Sequence, residues 1–108
     1  MKHFNLYDLP QIANKYNVKA RTLFDEKSST IKNLFLDKGE EIPKHQFPLD
    51  VTFFILEGKG KIQIEDEVFI VKPFDTVICP PNHNMSVKAD EDSVLSFLNI
   101  KSPGLKSL

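Results

Sequence analysis

Most of the chain after Val18 consists of short apolar segments, each about five to seven residues long and followed by a polar turn. The turns are rich in Gly, Pro, Asn, Asp and Ser, the residues that turn geometry favours. Short strands at close, even spacing are typical of an all-β sandwich or barrel. We therefore predict strands at ARTLF, TIKNLFL, VTFFIL, KIQIE, EVFIV, DTVIC, MSVKA and VLSFLNI.

Two of these segments differ in how their apolar residues are distributed. KIQIE alternates, with Ile62 and Ile64 on one face and polar residues on the other, so it has one solvated face. VTFFIL is apolar on both faces, which predicts a cover on each side: the barrel interior, and a second layer or a partner subunit. A chain of 108 residues has little to form a second layer. We therefore predict a homodimer, with ARTLF and TIKNLFL as candidate contacts.

The segment LYDLPQIANKYN, residues 6–17, favours one short N-terminal helix. Asp8 is a suitable N-cap, and Pro10 fits the first turn, where its missing N–H has no partner to lose. The apolar residues of one helical face are Leu9, Ile12 and Tyr16. Because two to three turns are marginal in isolation, this helix is expected to pack on the strands.

Composition excludes several classes of partner and location. The net charge is −1 and basic residues are mixed with acidic ones, so no binding to nucleic acid or to an anionic membrane is expected. Cys79 is the single cysteine, which suits a reducing compartment. No apolar run approaches the roughly 20 residues of a membrane helix. We expect one cytoplasmic domain over residues 1–108, with its strand core at about 20–101.

The stretch from Gly39 to Gly58, together with the later segment FDTVICPPNHNM, resembles the two sequence motifs of the cupin family. Gly39, His45 and Gly58 stand at the spacing of the first motif, and FFILEGKGKI is similar to the family's strand that leads into a hairpin. The resemblance covers about residues 31–100. It implies a single-domain cupin-type β-barrel of two facing antiparallel sheets, here with the short N-terminal helix outside.

Cupins hold a divalent metal with three histidines and one glutamate, and only the first of these ligands is retained in this chain. The resemblance places the first histidine at His45, the second at Phe47, the glutamate at Val51 and the last histidine at Met85. A catalytic zinc or iron usually takes about three protein ligands from His, Cys or carboxylate. We therefore expect no catalytic metal and no other cofactor.

An apolar pocket with one polar group is the kind of site that small organic molecules occupy. We predict that the barrel interior is lined by His45, Phe47, Val51, Phe53 and Met85, with His83 nearer the mouth. His45 would hydrogen-bond to a small-molecule ligand or to water. A histidine in a strand is also often a hydrogen-bonded core residue, and Phe47, Val51 and Met85 are apolar core residues in the first instance.

Two metal sites remain as alternatives. His45 and His83 could together bind a divalent metal, with Asp50 or water completing the site. His45, Met85 and Cys79 have the ligand types that Cu(I) prefers.

Three functions therefore stay open. The first is a metal-free cupin that binds a small organic ligand. The second is a metal-dependent dioxygenase or isomerase with an irregular ligand set, and the third is a structural dimerisation module. Whether the protein is an enzyme does not follow from the sequence, because no nucleophile–base pair stands out.

Overall fold

Ten β-strands make up most of the structure, a computed structural model that describes residues 1–108. All eight predicted strands are present, and two further strands form at Ile12–Ala13 and Glu41–His45. Two short 3-10 turns, Leu6–Asp8 and Leu105–Ser107, are the only helical segments, and neither is long enough to cross a bilayer. The strands are β1 (Ile12–Ala13), β2 (Lys19–Asp25), β3 (Thr30–Leu36), β4 (Glu41–His45), β5 (Asp50–Gly58), β6 (Gly60–Ile64), β7 (Glu67–Val71), β8 (Thr76–Cys79), β9 (Met85–Ala89) and β10 (Leu95–Ser102).

The strands form two antiparallel sheets with a shared hydrophobic core. The larger sheet has the order β1-β2-β3-β10-β5-β8, and the smaller one has the order β4-β9-β6-β7. Both sheets contribute to one buried cluster, whose most deeply buried side chains include Ile55, Ile62, Leu95 and Phe97. This arrangement confirms the predicted all-β fold of two facing antiparallel sheets.

The alternation that the sequence predicts in β6 and β5 is visible in their burial. Ile62 and Ile64 of β6 are buried, whereas Lys61 is exposed. In β5 the inner face is fully buried, and the outer face is only half-buried; the inner residues are Val51, Phe53 and Ile55, and the outer apolar ones are Phe54 and Leu56. What covers the outer face of β5 in an assembly stays a prediction.

The N-terminal helix predicted over residues 6–17 is reduced to one short 3-10 turn. Only Leu6–Asp8 forms a single 3-10 turn, and its cap is Asn5, whose side chain accepts a hydrogen bond from the Tyr7 N–H at 2.9 Å. Leu9 is already extended, because the residue before a proline is pushed out of the helical region. The chain then forms β1, which pairs with β2 at Ile12↔Ala20. Backbone pairing at the sheet edge replaces the helix that the apolar spacing suggested.

Gly58 shows why the hairpin between β5 and β6 requires glycine. Its φ is +85°, in the left-handed region that disfavours side chains. A Cβ at this position would also lie 1.7 Å from the Val94 carbonyl oxygen, so no larger residue fits without moving the backbone. The hairpin directs β6 into the smaller sheet and thereby closes the barrel.

Candidate functional site

A cavity of about 430 Å³ lies between the two sheets, beside the N-terminal segment. The larger sheet contributes residues of β3, β5 and β10 to its wall, and the smaller sheet contributes residues of β4 and β9. Tyr16 and Leu105 border it from outside the sheets. Most of its wall is apolar, with Ala20, Leu34, Ile42, Phe47, Phe53 and Val87.

His45 lies at the end of β4, half-buried in the cavity wall. Its Nδ1 is 2.8 Å from the Pro43 carbonyl oxygen. A carbonyl can only accept, so Nδ1 carries the proton and, in the neutral ring, Nε2 is left as an acceptor without a protein partner. Burial, opposed in part by the hydrogen bond to Pro43, lowers the pKa of His45. Burial therefore favours the neutral form of the ring.

Aromatic rings surround His45. The Phe47 ring meets it edge to face at a centroid distance of 5.5 Å, and the Tyr16 ring lies at 5.8 Å. Such arrangements suit the aromatic quadrupole and hold the imidazole in place. This part of the wall is therefore aromatic, with one hydrogen-bond acceptor, His45 Nε2.

Lys101, at the end of β10, is the most unusual group in the cavity wall. Its side chain is buried, with only 7% of the residue exposed. The ammonium donates a hydrogen bond to Asn99 Oδ1 and lies 4.8 Å from the centroid of the Phe47 ring. Burial, and to a lesser degree the nearby charge of Lys32, lowers the pKa of Lys101 to about 8. A buried cation is unfavourable without a counter-charge, and no carboxylate of the protein forms a salt bridge with Lys101.

The charged residues of the cavity wall are all lysines. Lys15, Lys32 and Lys101 line the cavity, and no aspartate or glutamate does. The salt bridges of the structure involve other lysines, Lys19, Lys72 and Lys88, so none of the three is paired with a carboxylate. The cavity is therefore apolar with an excess of positive charge.

The residues predicted to line the site fall into three places. His45, Phe47 and Phe53 border the cavity. Val51 and Met85 lie in the packed core, each 1% exposed, and do not border it. His83 is exposed in the loop before β9, where its Nδ1 is 2.9 Å from the Pro81 carbonyl oxygen. The roles of these residues stay predictions.

The side chains present do not fit the metal centre that the resemblance implies. The structure contains no group of three or more His, Cys, Asp or Glu side chains that could hold a metal ion. Across the strands, Lys101 is the direct partner of Val51, so a cation stands beside a position where the family places a ligand. Cys79 is buried, its thiol lies 3.5 Å from the Pro80 oxygen, and burial raises its pKa, which disfavours the thiolate that copper would need.

Lys32, Asn99 and Lys101 were not predicted from the sequence, although a signal for them exists. In β10 the inward positions run Leu95, Phe97, Asn99 and Lys101 at a spacing of two, so two polar residues continue a buried apolar face. Lys32 stands two residues before the buried Leu34 in β3. Polar residues on the inward face of a strand are the pattern that points to a cavity.

Comparison with known proteins places the fold and the motifs in one family. The model of the cupin domain matches residues 34–101. The chain is 36% identical over 63 residues to 5-nitrosalicylic acid 1,2-dioxygenase of Bradyrhizobium sp, a match that covers 56% of this chain and 30% of that protein. It is 30% identical over 79 residues to an uncharacterized protein of Methanocaldococcus jannaschii, covering 72% and 68% of the two chains.

A solved structure shows the same architecture. An RmlC-like cupin from Shewanella frigidimarina superposes with a TM-score of 0.86 at 15% identity, over 98% of this chain and 95% of the other. At that identity the likeness concerns the fold alone. The chain spans less than a third of the dioxygenase's length, so that similarity concerns one part of the larger protein. The extent of the domain match, the motif spacing and the two facing sheets agree, and the chain belongs to the cupin family.

Proposed function

We propose that this cupin barrel binds a small organic molecule in the cavity beside His45 and works without a catalytic metal. The observation that carries the proposal is the cavity itself, about 430 Å³ in volume, with apolar walls and a few polar groups. Binding sites for small molecules typically have this size and composition. His45 supplies one free acceptor, Nε2, and the rings of Tyr16 and Phe47 supply apolar contact area.

The metal-free part of the proposal rests on donors and charge. Phe47, Val51 and Met85 offer no oxygen or nitrogen to a hard or borderline cation. Lys101 adds a positive charge inside the barrel, directly across from Val51. A divalent ion in the barrel would lose its hydration shell, and one histidine would be the only ligand to replace the lost water. The ammonium of Lys101 would also repel the ion.

The test combines metal analysis with ligand binding on protein purified without a histidine tag. We expect less than stoichiometric zinc, iron, nickel and manganese by mass spectrometry. A library of small organic molecules should yield binders that shift the NMR signals of Phe47 and His45. Stoichiometric metal that is lost in His45→Ala would contradict the proposal, and His83 would then be the first residue to test as a second ligand.

A metal-dependent dioxygenase is the second candidate, favoured by the 36% identity to 5-nitrosalicylic acid 1,2-dioxygenase. The direct test is to load the protein anaerobically with Fe(II) or Mn(II) and to follow oxygen consumption with 5-nitrosalicylic acid. Oxygen uptake with ring cleavage that His45→Ala abolishes would establish the enzyme. Tight binding of the acid without oxygen uptake would favour the metal-free binder.

A homodimer is part of the proposal, because the outer face of β5 carries Phe54 and Leu56 only half-buried. Sedimentation equilibrium at micromolar concentration should give twice the mass of the chain, 12.4 kDa. Phe54→Lys should shift the equilibrium towards the monomer, whereas Lys61→Glu, on the exposed face of β6, should not. A wild-type monomer at this concentration would rule out both the dimer and the reading as a structural dimerisation module.

A further inference from the structure

The cavity has a charge that the protein itself does not neutralise. Lys15, Lys32 and Lys101 line it, without an acidic residue in the wall and without a salt bridge to any of them. Water solvates the charge of an exposed lysine, and salt screens it. Lys101 is only 7% exposed, so its charge has little access to either. A buried ammonium of this kind is stable only with good partners.

The protein provides Lys101 with only part of the contacts that an ammonium can make. Of its three possible donations, one goes to Asn99 Oδ1, and the Phe47 ring faces the ammonium at 4.8 Å. The pKa of about 8 that burial produces leaves most of the group charged at neutral pH. The ammonium of Lys101 therefore lacks an anionic hydrogen-bond acceptor.

Asn99 offers a second donor at the same place. Because its Oδ1 accepts from Lys101, its Nδ2 is directed away from the ammonium and has no hydrogen-bond partner in the protein. Asn99 lines the cavity, and its direct neighbour across β3 is Lys32. The ammonium and the amide N–H₂ on adjacent inward positions of one strand are two hydrogen-bond donors of the kind that a carboxylate accepts from.

We infer that the ligand of this barrel is an organic monocarboxylic acid, whose carboxylate binds Lys101 and Asn99 and whose apolar body lies against Phe47, Leu34 and Ile42. The inference rests on the proposed function, ligand binding in this cavity, and names the chemical class of that ligand. A phosphate would bring more acceptor oxygens than these two side chains can pair, and the rest would face the apolar wall. Lys32 adds attraction for a single negative charge.

The experiment compares acids with their neutral amides, which have nearly the same size and shape. Benzoate, 2-naphthoate and octanoate are titrated by calorimetry at pH 7, each beside its amide. We expect at least one acid to bind about ten- to hundredfold more tightly than its amide, the range of a charge-assisted hydrogen bond. Lys101→Met should remove this preference, because the affinity for the acid falls much more than the affinity for the amide.

Two controls locate the effect in the cavity. Lys38→Met changes an exposed lysine outside the cavity wall and should leave both affinities as in the wild type. Asn99→Leu, which removes the second donor but keeps Lys101, should reduce the preference for the acid by less than Lys101→Met does. Circular dichroism of each variant verifies that it is folded.

The outcomes separate the inference from the proposed function. Amides that bind as tightly as their acids, or a preference for the acid that survives Lys101→Met, would overturn the carboxylate inference and leave a binding cavity. Neither acids nor amides binding to the wild type would overturn both. Tighter binding of acids that is lost in Lys101→Met, reduced in Asn99→Leu and unchanged in Lys38→Met supports both.

Discussion

The interior of this barrel is divided into a packed region and an open one, and the metal-ligand positions of the family are split between them. Val51 and Met85 lie in the packed region, each 1% exposed. His45 and Phe47 lie on the wall of the cavity. Residues that would converge on one metal in the family therefore serve two purposes here: two fill the core, and two border space that a ligand can enter.

The open region also carries the polar groups that the packed region lacks. Asn99 and Lys101 follow Phe97 on the inward face of β10, so a single strand changes from core to cavity within a few residues. Lys101 is the direct cross-strand partner of Val51, so the polar groups of the open region lie next to the packed one.

The largest expected effect concerns the packed region. Met85→Ala should reduce the free energy of unfolding by about 2–5 kcal/mol, because it leaves a cavity among fully buried side chains. Phe47→Ala, on the half-buried cavity wall, should cost less than about 2 kcal/mol but weaken ligand binding. Urea denaturation monitored by circular dichroism measures both. Equal losses of stability would contradict the division of the interior into two regions.

The next effect concerns Lys101 in the absence of ligand. Its pKa of about 8 in the folded protein lies below the ordinary 10.5, so the unfolded chain binds more protons between these values. Stability of the wild type should therefore rise with pH from about 8 to about 10.5 through this group. Below pH 8 the buried ammonium costs up to about 3 kcal/mol, and Lys101→Met should be more stable by about 1–3 kcal/mol at pH 7.

The difference between Lys101→Met and the wild type is the quantity to measure, because other groups also titrate. The charged and titratable neighbours across the cavity are Lys32, Lys15 and His45. Denaturation at pH 7, 8, 9 and 10 should show the advantage of Lys101→Met shrinking as the pH rises. Lys38→Met, an exposed change, should stay within about 0.5 kcal/mol throughout. An advantage that does not change with pH would mean that Lys101 is not buried as a cation.

The smallest effect on stability is expected at the two histidines that the sequence placed in the site. His45→Ala should weaken binding of the small-molecule ligand about three- to tenfold and change the free energy of unfolding by about 1 kcal/mol or less. His83→Ala should change neither, because His83 is exposed and does not border the cavity. A loss of binding in His83→Ala would show that the mouth of the cavity includes the loop before β9.

Local patterns were sufficient for the strands and for the family. Alternation in β6, the two apolar faces of β5 and the spacing of Gly39, His45 and Gly58 are properties of neighbouring residues, and each predicted the element that forms. For the N-terminal segment, the local pattern predicted a longer helix than the one that forms. Its apolar spacing suited a helix. The chain is extended instead, because Pro10 disfavours the helical conformation of Leu9 and the free edge of β2 pairs with it at Ile12↔Ala20.

Only the tertiary structure decided which inward residues meet packed side chains and which meet open space. Val51 and Phe53 have the same position in the pattern of β5, yet only Phe53 borders the cavity. From the sequence alone, Lys101 resembles the polar end of a strand. It is buried because the sheet register pairs it with Val51 and because its ammonium faces the Phe47 ring. The sequence by itself determined the barrel, because strand alternation and turns are local. The charge and shape of its cavity depend on contacts between residues far apart in the chain, which no local pattern contains.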